Sequence, residues 1–395
     1  MNLIIYSYNF APMADPESFC STRFASSLAR AGHNVTVITM DWPMQMSSEC
    51  YNSLVDKSLK IIRLPFSSKK NSPIKAILWF GHKSQMAVDI PQSVKAVKRV
   101  LSKTDNPILI TRSMPIMSAM VGLKTHKFAS KWIAHFSDPA PWTNYANTFG
   151  HKILKSLELK IIRNTFKKAD GISLTCEHVK KYFKDIFGSN FDVRKAFITT
   201  HIGDYRLSPP TNAISQRKEI PVLLHPGQIY ADRGGKIIAQ IMQEFKSEGY
   251  DCKLIQVGPV DNSIIETLNK LDNIEIYNTS SIEKNIALGS IANAIFIPDF
   301  DSPFSYSPFF LSKFVYRIMD NQPLVVYSKA ESDMHDYAIK YPSAGIFWAD
   351  NKDSLKEAIK KALECDPLTF DRHKIRDCFS EKTIVDKFIN AITKL

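Results

Sequence analysis

The feature that most constrains this chain is an alternation of short apolar strands with helices, run twice and interrupted once. Leu3-Ile4-Ile5-Tyr6-Ser7-Tyr8 is an apolar run bounded by turn residues, the mark of a buried strand. Asn9 to Phe19 carries Pro12 and Pro16 and reads as loop, not regular helix. Ser21 then caps a helix with apolar positions at Phe24, Ala25, Leu28 and Ala29, ended by Gly32-His33. Asn34-Val35-Thr36-Val37-Ile38-Thr39 is the next strand. Strand, helix and strand in this order open a parallel, doubly wound sheet.

The series continues with strands over 59–64, 107–111, 131–136, 171–175 and 196–200, and with helices over 93–102 and 152–168. The polar, proline-containing stretch Leu207-Ser208-Pro209-Pro210-Thr211-Asn212 breaks it. A second series follows. It has strands beginning at 221, 253, 274, 294, 324 and 345, helices over 235–248 and 354–364, and a last helix over 381–393. This pattern predicts an α/β protein of two Rossmann-like parallel-sheet domains, 1–205 and 220–379, joined by a linker over 206–219. The helix at about 380–395 is expected to pack back on the first domain. Ligands of such sheets bind at the carboxyl ends of strands, so the βα loops of both domains are expected to line one cleft.

Composition permits this. Of 395 residues, 44% are apolar and 23% charged, enough for two cores without disulfides or metal. The six cysteines are scattered and no pair has zinc-ligand spacing, which fits reduced thiols. The start, Met1 to Tyr8, lacks a basic leader and a cleavage site, and no apolar run approaches the ~18 residues of a membrane span. A cytoplasmic protein is expected. The formal charge of +12 suits nucleic acid, an anionic membrane or phosphorylated small molecules. The lysines are spread along the chain, and no RNP motif, zinc finger or helix-turn-helix is present, so nucleic acid is set aside. Attraction to the inner face of an anionic membrane and a merely solvated basic surface remain open.

The segment ending in Gly32-His33-Asn34-Val35-Thr36-Val37 resembles the start of family 4 glycosyltransferases of the GT-B fold. His225-Pro226-Gly227-Gln228-Ile229-Tyr230-Ala231-Asp232-Arg233-Gly234-Gly235 resembles that family's first C-domain loop, where a basic residue follows a glycine. Ser307-Pro308-Phe309-Phe310-Leu311-Ser312-Lys313, leading through Tyr316 to Asn321-Gln322-Pro323-Leu324-Val325, resembles its donor helix and the strand entry after it. The resemblance covers nearly the whole chain, and the order of the motifs is what makes it specific.

The resemblance implies a nucleotide-sugar donor held by the second domain. Arg233 and Lys313 would stabilise the charge of the leaving diphosphate, against a reading as surface cations. Gly227 and Gly258, with Gln228, would let the donor approach the backbone, against ordinary strand-end glycines. Ser307-Pro308-Phe309 would form the turn into the helix and offer N–H groups to a phosphate. The family's paired glutamates fall at Pro308 and Tyr316, neither a carboxylate; Tyr316 would then hydrogen-bond the ribose or pack against it. In the first domain, Asp138 would orient an acceptor hydroxyl or act as base, and His135 would bond the donor sugar. Asp15 and Glu17 would face the acceptor, with Arg23 meeting an acceptor phosphate or pairing with Glu17. The resemblance further implies retention of configuration, no cofactor and no metal, and a saccharide or lipid-linked saccharide acceptor of bacterial surface polysaccharide or glycolipid. No Asp-x-Asp motif is expected, in keeping with a reaction without a divalent cation. A non-catalytic sugar-binding or scaffold subunit of the same fold is the alternative. A related epimerase would keep cleft carboxylates, and a phosphorylase a lysine-held cofactor and a longer chain.

Overall fold

A computed structural model describes residues 1–66, 82–116, 118–141, 149–203, 220–277 and 282–395. The expected linker over 206–219 lies outside the described residues. The chain divides into two compact units, Met1–His201 with Glu381–Leu395, and Ile202–Ser380.

The first unit holds a seven-stranded sheet: β1 (Asn2–Ser7), β2 (Asn34–Asp41), β3 (Lys60–Pro65), β4 (Ile108–Arg112), β5 (Lys131–Phe136), β6 (Gly171–Leu174) and β7 (Ala196–Ile198). Their order is β3-β2-β1-β4-β5-β6-β7, all parallel. β1 and β4 to β6 are buried almost throughout, as strands covered on both faces must be. Phe136, Phe166, Phe183, Phe187 and Phe191 form an aromatic cluster on the sheet. The helix Glu381–Lys394 belongs to this unit. Its Phe388 meets Phe24 edge-on at 5.0 Å, and Lys131 Nζ donates to the Ile392 carbonyl at 2.9 Å.

The second unit holds six strands: β8 (Val222–Pro226), β9 (Lys253–Val257), β10 (Ile274–Tyr277), β11 (Ala294–Pro298), β12 (Leu324–Tyr327) and β13 (Ile346–Ala349). Their order is β10-β9-β8-β11-β12-β13, again all parallel. Each sheet reverses its winding once, between β1 and β4 and between β8 and β11. Those switch points are where a doubly wound sheet opens a crevice at its carboxyl edge.

Every strand of the sequence reading is present, but several helices differ. The first runs Pro16–Arg30, not from a Ser21 cap. Asp15 is the cap: its Oδ1 accepts the Ser18 N–H at 2.7 Å, and Pro16 sits in the first turn, where its missing N–H costs nothing. The helix expected over 93–102 begins at His82 and runs through Pro91 to Leu101. Contacts from β1 and the residue after it hold both flanks of that proline: Tyr8 Oη donates to Asp89 Oδ2 and Tyr6 Oη to Ser93 Oγ, each at 3.0 Å.

The helix Ser312–Ile318 is anchored from behind. Arg372, 2% exposed, donates to the carbonyls of Arg317, Asp320, Gln322, Ala344 and Gly345. Arg376 donates to those of Ile318 and Asp320. Two cations at a helix carboxyl end satisfy the orphan carbonyls there and oppose the helix dipole.

Candidate functional site

In the second unit, polar side chains gather at the carboxyl ends of β8, β9 and β11, on both sides of the switch point. His225 lies inside β8 and Gln256 inside β9, both fully buried. Lys313, in the first turn of Ser312–Ile318, brings its Nζ to 3.2 Å from His225 Nε2. Burial holds the Lys313 amine well below the usual lysine range; nearby Arg233 and Arg317 add to this and Asp299 opposes it. Arg233, 8% exposed, donates from Nε to the Pro298 carbonyl at 3.1 Å and lies 4.0 Å over the Phe300 ring. Phe300 in turn packs on Phe309, with centroids 4.4 Å apart.

Asp299 follows β11 and is 2% exposed. Its Oδ1 accepts the Phe300 N–H at 2.8 Å. Burial pushes its carboxyl up to about 6, against the pull of Ser307, the Phe300 N–H, Arg233 and Ser328. Asp299-Phe300-Asp301 has Asp-x-Asp spacing, so the expectation that no such motif is present was wrong. The two carboxylates have separate partners, for Asp301 pairs with Lys329 at 2.7 Å.

Gly227 and Gly258 sit in the two strand-end loops at φ +124 and +123. A Cβ on Gly227 would lie 3.3 Å from Lys313 Nζ, and one on Gly258 would lie 2.7 Å from the Gly227 carbonyl. Both glycines therefore answer to packing beside the cation. Gln228, the next residue, is exposed.

Ser307, Pro308 and Phe309 are buried ahead of the helix, which begins at Ser312, so they do not form its first turn. The Ser307 N–H donates to the Glu331 carbonyl at 2.6 Å and the Phe309 N–H to Ser307 Oγ at 3.4 Å; Pro308 has no N–H. The expected phosphate donors are thus already engaged. Tyr316 is half-buried, one turn after Lys313.

The first unit carries its own polar row at the carboxyl edge. Arg112, at the end of β4 and 3% exposed, donates to Glu17 Oε1 at 2.9 Å and to Ser137 Oγ at 3.3 Å. Glu17 Oε1 also accepts the Ser21 hydroxyl at 2.9 Å. His135, opposite Arg112 in the β4–β5 register, stacks on Phe24 at 6.4 Å. Its Nδ1 meets Ser173 Oγ at 2.8 Å, and its Nε2 has no hydrogen-bond partner among the described residues. Burial, then Arg112 and His201, hold this imidazole well below its ordinary range, so it is neutral.

Asp138 is half-buried two residues beyond β5. Asp15 is committed to the helix cap and accepts Asn9 Nδ2 at 2.6 Å. Arg23, 4% exposed, lies 5.4 Å over the Phe19 ring. The row thus joins Glu17 and His135 through one helix and adds Arg112. The sequence reading missed Arg112, His225, Gln256 and Asp299. Their signal is a polar residue within or just after an otherwise apolar strand.

No protein-family profile matches the chain, and no curated protein matches it in sequence. Solved structures do match in fold. Sucrose-phosphate synthase from Thermosynechococcus elongatus superposes with a TM-score of 0.72 at 16% identity, over 100% of this chain and 98% of that one. HepE from Anabaena, solved with UDP and glucose, gives 0.69 at 12% over 100% of both chains. WaaG, a glycosyltransferase of lipopolysaccharide biosynthesis, gives 0.64 at 14% over 99% of both. The chain has the fold of these proteins: two parallel α/β sheets of the GT-B kind.

Proposed function

We propose that the chain is a glycosyltransferase that moves a sugar from a nucleotide-sugar donor to a saccharide or lipid-linked saccharide, in synthesis of a bacterial surface polysaccharide or glycolipid. The observation that carries this is the pairing of Lys313 and Arg233 beside Gly227 at the switch point of the second sheet. Two cations gathered at one strand end repel each other and are stabilised when a diphosphate lies against them. HepE, solved with UDP and glucose, and WaaG, of lipopolysaccharide biosynthesis, support the reading by their shared fold.

In the reaction, the bond from the anomeric carbon to the diphosphate breaks and a bond to the acceptor oxygen forms. The nucleoside diphosphate leaves with the electron pair, and the acceptor hydroxyl loses its proton. Arg233 and Lys313 meet the leaving charge. Asp138 orients the acceptor hydroxyl or takes its proton, and the neutral His135 bonds a sugar hydroxyl through Nε2. Glu17 and Arg23 belong to the acceptor side, with Asp15 shaping the helix start. The family 4 resemblance supports retention of configuration and a reaction without metal or cofactor. The charge of +12 supports a peripheral contact with an anionic membrane face; among the described residues no helix is long and apolar enough to cross a membrane.

Incubation with a panel of UDP-, GDP-, ADP- and dTDP-sugars tests the reading. Donor hydrolysis, or transfer to a saccharide, is expected with at least one. Binding of a nucleotide sugar without turnover favours instead a non-catalytic subunit of this fold, the reading that Pro308 and Tyr316 motivate by standing where the family has carboxylates. Neither binding nor turnover across the panel overturns both.

A further inference from the structure

His225 and Gln256 are opposite one another in the register of β8 and β9, and both are fully buried. Burying an imidazole and a carboxamide is unfavourable unless each polar atom finds a partner. Here the partners fix every orientation. Gln256 Nε2 donates to the carbonyls of Gly227, at 2.8 Å, and Gly258, at 3.2 Å. A flipped amide would set its oxygen against two carbonyl oxygens, so the oxygen must face His225, 2.6 Å away. That oxygen only accepts, so the proton of His225 sits on Nδ1. Nε2 of the neutral ring is then an acceptor, and the group 3.2 Å from it is Lys313 Nζ.

We infer that His225 and Gln256 form a buried relay that positions the Lys313 amine for the diphosphate of a nucleotide, His225 being a positioning residue. The inference rests on the donor-site reading of Lys313. Gln256 ties the loop carbonyls, Gln256 orients His225, and His225 draws Lys313 to the space that the missing Gly227 side chain leaves open. Burial, with Lys313 and Arg233 close by, opposes a proton on His225, which would turn two N–H groups toward an acceptor and a cation. The charged groups acting on Lys313 are Arg233, Asp299 and Arg317, and Arg317 is itself paired with Asp320 at 2.8 Å, which leaves Arg233 and Lys313 to share Asp299. Without a fixed acceptor the amine would be repelled from this position.

The test uses the full chain and two readouts. In 15N NMR of the ligand-free protein, His225 is expected as the neutral Nδ1–H tautomer at neutral pH. In calorimetry, ADP, GDP, UDP and dTDP are compared with their nucleosides. Asn places its amide where Nδ1 lies and Gln where Nε2 lies. His225→Asn is therefore expected to weaken the best-bound diphosphate about tenfold, as loss of one charge-assisted hydrogen bond does, with its nucleoside unchanged. His225→Gln is expected to restore most of the loss. A protonated or Nε2–H ring overturns the relay. So does an Asn variant that weakens diphosphate and nucleoside in equal proportion, and so does a Gln variant no better than Asn. If a variant does not fold, the wild-type tautomer still decides. A wild-type protein that binds none of the four diphosphates overturns the donor reading itself and with it the relay's purpose; the other outcomes overturn the relay while that reading stands.

Discussion

Gly258→Ala offers a clean test of how the second unit builds its strand-end loops. The added Cβ would lie 2.7 Å from the Gly227 carbonyl carbon and oxygen and 3.1 Å from Gln228 N. These are backbone atoms, so no flexible side chain can move aside. The residue also sits at φ +123, a region nearly closed to residues with a Cβ. Backbone strain of this kind costs about 1–3 kcal/mol and overpacking about 1–3 more, for a total of roughly 2–6 kcal/mol. Gly249→Ala is the control within the same unit. Its φ is +70, but nothing lies within 4 Å of the new Cβ. It should lose only the left-handed penalty, about 1–2 kcal/mol, partly offset by a stiffer unfolded chain. The gap between the variants is mainly the overpacking term, about 1–3 kcal/mol, which corresponds to roughly 2–12 °C in melting temperature for a unit of this size. Differential scanning calorimetry reads it directly. If the two variants melt within about 2 °C of each other, the loops are not packed as described, and the geometry around Lys313 falls with them.

Arg372→Met should destabilise the second unit by about 2–5 kcal/mol in urea titration, because it removes a buried donor from five carbonyls, of which those of Arg317, Asp320 and Gly345 keep another; a loss under about 1 kcal/mol would mean that the Gln322 and Ala344 carbonyls find other partners. Asp299 gives a pH signature. Its folded-state carboxyl is raised from 3.8 to about 6, so the folded state holds the proton more tightly and stability falls as pH rises through that window. Asp299→Asn should flatten this fall by up to about 3 kcal/mol between pH 4 and 6, at roughly 1.4 kcal/mol per unit; a difference from wild type that does not change with pH would contradict the assignment. Asp138→Asn should lower turnover more than donor binding in steady-state kinetics, and the reverse pattern would make Asp138 structural.

The strands were legible because both faces of a parallel sheet are buried, so most strands contain a short apolar run such as Ile108-Leu109-Ile110 or Ala294–Pro298. Helix starts were harder. Two prolines in the first loop suggested an irregular stretch, yet Pro16 with Asp15 before it is a helix start by the same chemistry. The helix read over 93–102 starts earlier, at His82, and runs through Pro91, on either side of which Asp89 and Ser93 take hydrogen bonds from Tyr8 and Tyr6. Glu177–Phe187 was not read as a helix, although Val179, Tyr182, Phe183 and Phe187 have its spacing.

The site divides in the same way. Arg233 and Lys313 lie in segments whose order along the chain carried the family resemblance. His225 and Gln256 acquire meaning only from the pairing of β8 with β9, and Asp299 only from the placement of β11 beside β8. Arg112 needs the adjacency of β1 and β4 to meet Glu17. Cross-strand register between segments far apart in sequence is not written in any local pattern.

The central claim is that the second unit holds the diphosphate of a nucleotide sugar on Arg233 and Lys313. Isothermal titration of ADP, GDP, UDP and dTDP into wild type, Arg233→Ala and Lys313→Ala tests it most directly. At least one diphosphate should bind the wild type, and each substitution should cost about 1–3 kcal/mol of that binding, the range for hydrogen bonds to charged groups. Binding that is unchanged in both variants, or absent in the wild type for all four nucleotides, would contradict the account.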